Sequence, residues 1–284
     1  MIAVLLFLNF LLMLALPLVL GWQLQRRWRP GWRLFGIGAV TFVVAQIFHI
    51  PFNWLVLQQW QLIPTDTAVP GNLIILSLFL GLSAGVFEEG ARYLTYRFWA
   101  KDARSWAKGV MLGAGHGGIE ALLLGAVGMI NFVVLLALRQ GYLSDLIPPA
   151  QMDLVQSQIE AMFGIPWYMG LLGAVERLFA LTLHLALSLL VMQLFVRGQR
   201  RWLAAAVLWH ALVNATAVFA VSTWGALPAE GVVGIMALIS LGIIYWLYQP
   251  EPPEPEPEPL PDPAPLEATD TPPTPDALER SKYL

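Results

Sequence analysis

Long apolar runs separated by short polar loops dominate the chain. Seven of them, roughly residues 2–22, 34–57, 72–99, 109–138, 166–196, 202–224 and 229–248, reach the ~20 residues an α-helix needs to cross ~30 Å of hydrocarbon. Backbone N–H and C=O groups in lipid must bond within their own segment, so each run is predicted to be helical. The expected fold class is all-α, a polytopic bundle of about seven transmembrane helices in the cell membrane.

The loops set the expected orientation. Arg26 to Arg33 and Arg97 to Lys108 form basic loops, as do Arg197, Arg200 and Arg201, whereas the 58–71 loop has no Lys or Arg and the 140–165 loop holds only acids. Basic and non-basic loops alternate as the positive-inside rule requires, with the N-terminus outside and the C-terminus cytoplasmic. The first span lacks a basic stretch before it and is followed by one, which suits an uncleaved span better than a secretory signal.

Two segments do not span. Residues 140–165 contain PPAQMDLVQSQIEAMFGIP, in which Met152, Val155, Ile159 and Met162 recur at helical spacing. This reads as a short amphipathic helix on the outer interface. The stretch 250–284 carries 12 of the chain's 21 prolines and nine acidic residues. That composition cannot bury a core, so a disordered, Pro/Glu-rich cytoplasmic tail is expected beyond a membrane domain of residues 1–249.

Composition agrees with the pattern. Of 284 residues, 57% are hydrophobic and 12% charged, and the mean hydropathy is +0.64. The net charge of −3 comes from the tail; the preceding 249 residues carry 14 basic and 10 acidic side chains. Without cysteine, disulfides and thiolate metal ligands are excluded. No basic run with interleaved aromatics points to nucleic acid, so the expected partners are the lipid bilayer and a membrane protein or peptide substrate.

Against this apolar background a few polar groups stand out: Glu88, Glu89 and Arg92, then His116 and Glu120, then Glu176, Arg177 and His184, and finally His210 and Asn214. An ionisable side chain at membrane depth costs about 2.5–3.5 kcal/mol on insertion scales and marks a functional site by default. Residues four apart share a helix face, which pairs Glu88 with Arg92, His116 with Glu120 and His210 with Asn214. Glu176 and Arg177, as neighbours, do not face each other. Glu176, Ala180, His184 and Ser188 form a ladder of the same step. At 1.5 Å per residue, Glu88, Glu89, Glu120, His184 and Asn214 lie roughly 15–18 Å from the basic end of their spans. His116 and His210 lie slightly shallower, and Glu176 deeper. His49 and Asn53 have the same spacing without an acid in their span and read as structural. Small residues around the site-bearing spans, 72–224, allow close helix approach.

Such a set suits hydrolysis without a serine or cysteine nucleophile. A carboxylate takes the proton of a water held against a histidine, while a second histidine and an asparagine stabilise a developing oxyanion. It also suits a divalent metal such as zinc, with His116, His184, His210 and Glu89 as candidate ligands; a cofactor-free site is the alternative, since no His-Glu-x-x-His spacing occurs. A proton- or ion-coupled transporter would use the same buried acids and histidines, although the internal repeats typical of transporters are not evident.

The series FEEGAR (87–92), GHGGIEA (115–121), ERLFALTLHLALS (176–188) and HALVNA (210–215) resembles the YhfC family of intramembrane proteases. More distantly it is similar to the CAAX prenyl protease/bacteriocin-processing and PrsW-type groups. The resemblance implies that Glu88 or Glu89 is the catalytic base with Arg92 beside it. It implies that His184 helps hold the water and that His210 and Asn214 form the oxyanion site. His116 and Glu120, with Glu176 and Arg177, would be additional site residues. In the prenyl protease group the arginine follows the second glutamate by four residues, whereas Arg92 follows Glu89 by three. The expected activity is an intramembrane endopeptidase, glutamic-type or metal-dependent.

Overall fold

Each apolar run forms a helix because its residues leave the backbone no other way to satisfy its polar groups in lipid. In the computed structural model, which describes residues 1–250 and 275–280, seven helices are long and apolar enough to cross a membrane. They are α1 (Ile2–Trp28), α2 (Trp32–Trp54), α3 (Pro70–Leu94), α4 (Trp106–Arg139), α6 (Leu172–Arg197), α7 (Arg201–Trp224) and α8 (Ala226–Trp246). One π-helical turn extends α2 through Leu55–Gln59 and another extends α3 through Thr95–Trp99. Among the described residues there is no strand. The chain is an all-α, multi-pass membrane protein.

The expected amphipathic helix is α5 (Met152–Phe163). Ile159 and Phe163 are buried against Leu6, Phe132 and Leu135, with Val155 and Met162 partly buried beside them. Met152, expected on that face, is 42% exposed, because it opens the first turn and projects beyond the contact. Of the tail, α9 (Pro275–Arg280) is a short helix. The rest of the expected disordered segment lies outside the described residues.

Tight helix crossings hold the bundle together. A Cβ at Gly38 would stand 2.1 Å from the Leu112 carbonyl oxygen, and one at Gly115 1.9 Å from that of Phe35, so α2 and α4 meet backbone to backbone. Helix α6 packs on α4, α7 and α8 and is the most enclosed of the seven. The ends that follow or precede basic loops gather together. Trp28 of α1 stacks edge-on against Trp106 of α4, which in turn meets Tyr248 beyond α8. Trp202 of α7 packs on Trp246 of α8. Arg33, in the first turn of α2, pairs with Asp102 of the loop before α4 at 2.6 Å.

Candidate functional site

Close approach of two helix pairs assembles the site. On α3, a Cβ at Gly81 would lie 2.3 Å from the Ala211 carbonyl oxygen and one at Gly85 2.6 Å from that of Val207. These glycines seat α7 directly against α3, so His210 reaches the glutamates one turn beyond them. On α4, a Cβ at Gly113 would stand 2.7 Å from the His184 carbonyl oxygen, and one at Gly117 2.8 Å from the His184 ring. The bare stretch of α4 therefore leaves room for an imidazole from α6.

The chain of contacts runs through five helices. Glu88 accepts from Gln46 of α2 at 2.9 Å on Oε1 and lies 3.1 Å from His116 Nε2 on Oε2. Glu89 is fully buried and receives Arg92 on one oxygen and His210 Nδ1 on the other, the latter at 2.8 Å. The second nitrogen of His210 stands 3.9 Å from Glu88 Oε2. Arg92 also donates to His184 Nδ1 at 3.3 Å. A guanidinium has no acceptor, so that contact fixes the lone pair of His184 on Nδ1 and the proton on Nε2, which donates to Glu120 Oε2 at 2.8 Å. Arg177 reaches Glu120 Oε1 at 2.7 Å and grips Glu176 with two nitrogens.

These contacts revise the pairing expected within each helix. Arg92 bonds Glu89 rather than Glu88; His116 turns to Glu88 rather than Glu120; His210 turns to Glu89 rather than Asn214. For His116 and His210, sharing a face aims two residues at the same neighbouring helix, whose groups then compete successfully for the bonds, whereas Arg92 finds Glu89 three residues back on its own helix. Glu176 and Arg177 do pair, against expectation, because the long arginine side chain curls back while still reaching Glu120. Ser188 leaves the functional ladder: it accepts from the Tyr96 hydroxyl at 2.9 Å and donates to the Gly109 carbonyl at 2.7 Å.

The second helix contributes what the sequence reading set aside. Besides Gln46 on Glu88, His49 Nε2 lies 3.0 Å from Ser83 Oγ and 3.0 Å from Asn53 Nδ2. Gln46, His49 and Asn53 recur at i, i+3 and i+7, a polar stripe along one face that was visible in the sequence. A cleft of about 670 Å³ opens beside this stripe, lined by Gln46, His49, Glu88, Glu120 and Asn214 together with apolar side chains of α2 and α4. Glu89, by contrast, has no exposed surface.

The donor set fits a divalent cation. Glu88, His116 and His184 each offer one ligand atom, and these atoms lie within 4.8 Å of one another. His116 Nδ1 is buried without a partner, so the unliganded arrangement is under-satisfied. The linked carboxylates of Glu88, Glu89, Glu120 and Glu176 also outnumber the guanidiniums of Arg92 and Arg177 by two, an excess that one divalent cation neutralises. Glu120 holds Nε2 of His184, the carboxylate–histidine pairing that orients metal-ligating imidazoles, and a cation at Nδ1 would take the lone pair that Arg92 meets.

The profile of the family described as YhfC intramembrane metalloprotease matches residues 12–237. The chain belongs to the YhfC family. It is 33% identical to the membrane protein YhfC of Bacillus subtilis (strain 168), itself uncharacterized, over 236 residues that cover 82% of this chain and 90% of the relative. No solved structure matches. The likeness to the prenyl protease and PrsW groups rests on the motifs alone. The YhfC match encloses every residue of the site, from Gln46 to Asn214.

Proposed function

We propose that this YhfC-family chain is a metal-dependent intramembrane endopeptidase that hydrolyses a peptide bond presented in or beside the bilayer. The observation that carries the reading is the buried Glu88–His116–His184 donor group at the wall of a cleft that also exposes Glu120 and Asn214. Glu88, His116 and His184 would hold a divalent cation such as zinc. When bound, such a cation supplies Lewis acidity and a water that ionises near neutral pH.

The remaining roles follow from position. Glu120, the cleft-facing carboxylate outside the donor group, accepts the water's proton as oxygen adds to the peptide carbonyl carbon, and returns it to the leaving amine as the C–N bond breaks. Asn214, which lines the same cleft, donates its side-chain amide to the oxyanion that develops. Glu89 and Arg92 position the others: Glu89 fixes the ring of His210, and Arg92 holds Glu89. Arg177 holds Glu120 in place. The apolar flanks of the cleft, Phe42, Ile47, Leu123 and Leu124, suit a hydrophobic substrate segment arriving from lipid. We further assign the basic end of the bundle to the cytoplasm, in keeping with the excess of Lys and Arg there.

Purified protein incubated with a library of quenched membrane peptides tests the proposal, alongside Glu88→Gln, Glu120→Gln and His184→Ala, each with and without chelator. Turnover by the wild type that is lost on chelation and in the variants is expected. Cleavage that survives chelation would remove the metal, and equal signal from wild type and variants would remove the peptidase itself.

A further inference from the structure

We infer that a second cavity, enclosed by α6, α7 and α8, is a hydrated site that feeds water toward the catalytic groups from a side other than the substrate cleft. Its use for hydrolysis rests on the proposed peptidase activity; its hydration does not. The cavity has a volume of about 290 Å³ and is lined by Glu176, Asn214, Ala217, Glu230 and Ser240 with apolar neighbours. It extends from the turn between α7 and α8 inward. Glu230 and Ser240, both on its wall, are ten residues apart on α8 and hence roughly 15 Å.

Three observations name the occupant. The volume far exceeds that of one probe sphere, about 10–15 Å³, so several waters fit. Glu230 lies within a spanning helix, and its Oε2 is buried with no partner in the protein. A buried carboxylate oxygen left unpaired is costly, and water removes that cost where a lipid chain cannot. Asn214 lies on the wall of this cavity and of the substrate cleft alike, so it stands where the two meet. A peptidase in lipid needs water as its second substrate while its cleft is filled by a hydrophobic segment. A separate polar cavity meets that need.

The natural absence of cysteine makes the test direct. Ala217→Cys and Val233→Cys place a thiol on the cavity wall, and Leu238→Cys places one on the 67% exposed outer surface of the same span. Each single-cysteine protein, reconstituted in lipid nanodiscs and verified as folded by circular dichroism and size exclusion, is treated with a small charged methanethiosulfonate. Only a thiolate in contact with water reacts, so the two cavity positions should label at least on the order of tenfold faster than Leu238→Cys. Labelling as slow as at Leu238→Cys, or labelling that appears only after lipid is stripped away, would overturn the proposal. Absence of turnover in the wild type with fast cavity labelling would refute the peptidase reading and leave the hydrated cavity standing.

Discussion

His210 Nδ1 lies 2.8 Å from Glu89 Oε1, joining α7 to α3 across 121 residues of sequence. Since the carboxylate only accepts, the imidazole spends its N–H on Glu89 and turns its other nitrogen toward Glu88, 3.9 Å away. Two adjacent glutamates thereby acquire different tasks. Glu89 anchors and Glu88 faces the cleft.

The two are therefore expected to respond differently to the same change. Glu89→Gln leaves the buried Arg92 without its counter-charge and should lower stability by about 3–5 kcal/mol, the usual result of breaking one side of a buried ion pair. Glu88→Gln should leave thermal stability in detergent close to wild type while abolishing turnover. Thermal unfolding of both variants side by side checks the distinction; equal destabilisation would contradict it.

Metal content provides a measurement independent of activity. Protein purified without chelator is expected to hold one divalent ion per chain by elemental analysis. His116→Ala and His184→Ala should lose it, and Asn214→Ala should retain it. Loss of the ion from Asn214→Ala as well would mean that the donor group has been wrongly drawn.

Asn214→Ala is expected to lower kcat by about 10²–10³ if its amide meets the oxyanion, the range found for removal of a single such donor. KM should change little. A rise in KM at constant kcat would instead assign Asn214 to substrate binding.

Gly81→Val tests the construction of the site rather than its chemistry. Even a Cβ there would stand 2.3 Å from the Ala211 carbonyl oxygen, and backbone cannot yield as a side chain does. The substitution should cost at least about 1–3 kcal/mol and separate His210 from Glu89. Gly90→Val, on the same helix with nothing within 4 Å of its Cβ, serves as the control and should fold normally.

The basic end offers a pH prediction of modest size. The Arg33 guanidinium hydrogen-bonded to Asp102 holds that carboxyl below its usual 3.8. A depressed folded-state pKa contributes stability above the unfolded value, and that contribution is lost as pH falls through the folded value. Both side chains are more than half exposed, so solvent screening limits the effect to well under about 1 kcal/mol. Asp102→Asn should accordingly shift the melting temperature at pH 7 only slightly, with the difference from wild type fading as pH falls through the depressed folded-state value.

Much of the site was legible in the chain because the bilayer makes polar residues conspicuous. Glu88, Glu89, His116, Glu120, His184 and His210 share one depth in the sequence, and the structure brings them into one connected group. Gln46 escaped notice because an amide is less costly in lipid than a charge, and its span carries no acid to draw attention. Glu230 escaped because it stands alone in its span, and its relevance arises only from a cavity that three helices enclose.

Sequence by itself determined the seven helices, their alternating basic ends and the shortlist of reactive side chains. Those follow from local physics: backbone satisfaction in lipid, helical rise and the cost of burying charge. Which of those side chains bond one another across helices was decided by tertiary structure alone. A spacing of four residues fixes the face of a helix but not the helix that opposes it. Here the opposing helix is chosen by carbonyl groups settling onto glycines at Gly81, Gly85 and Gly113, contacts between residues far apart in the chain. That choice turned His116 to Glu88, His184 to Glu120 and His210 to Glu89.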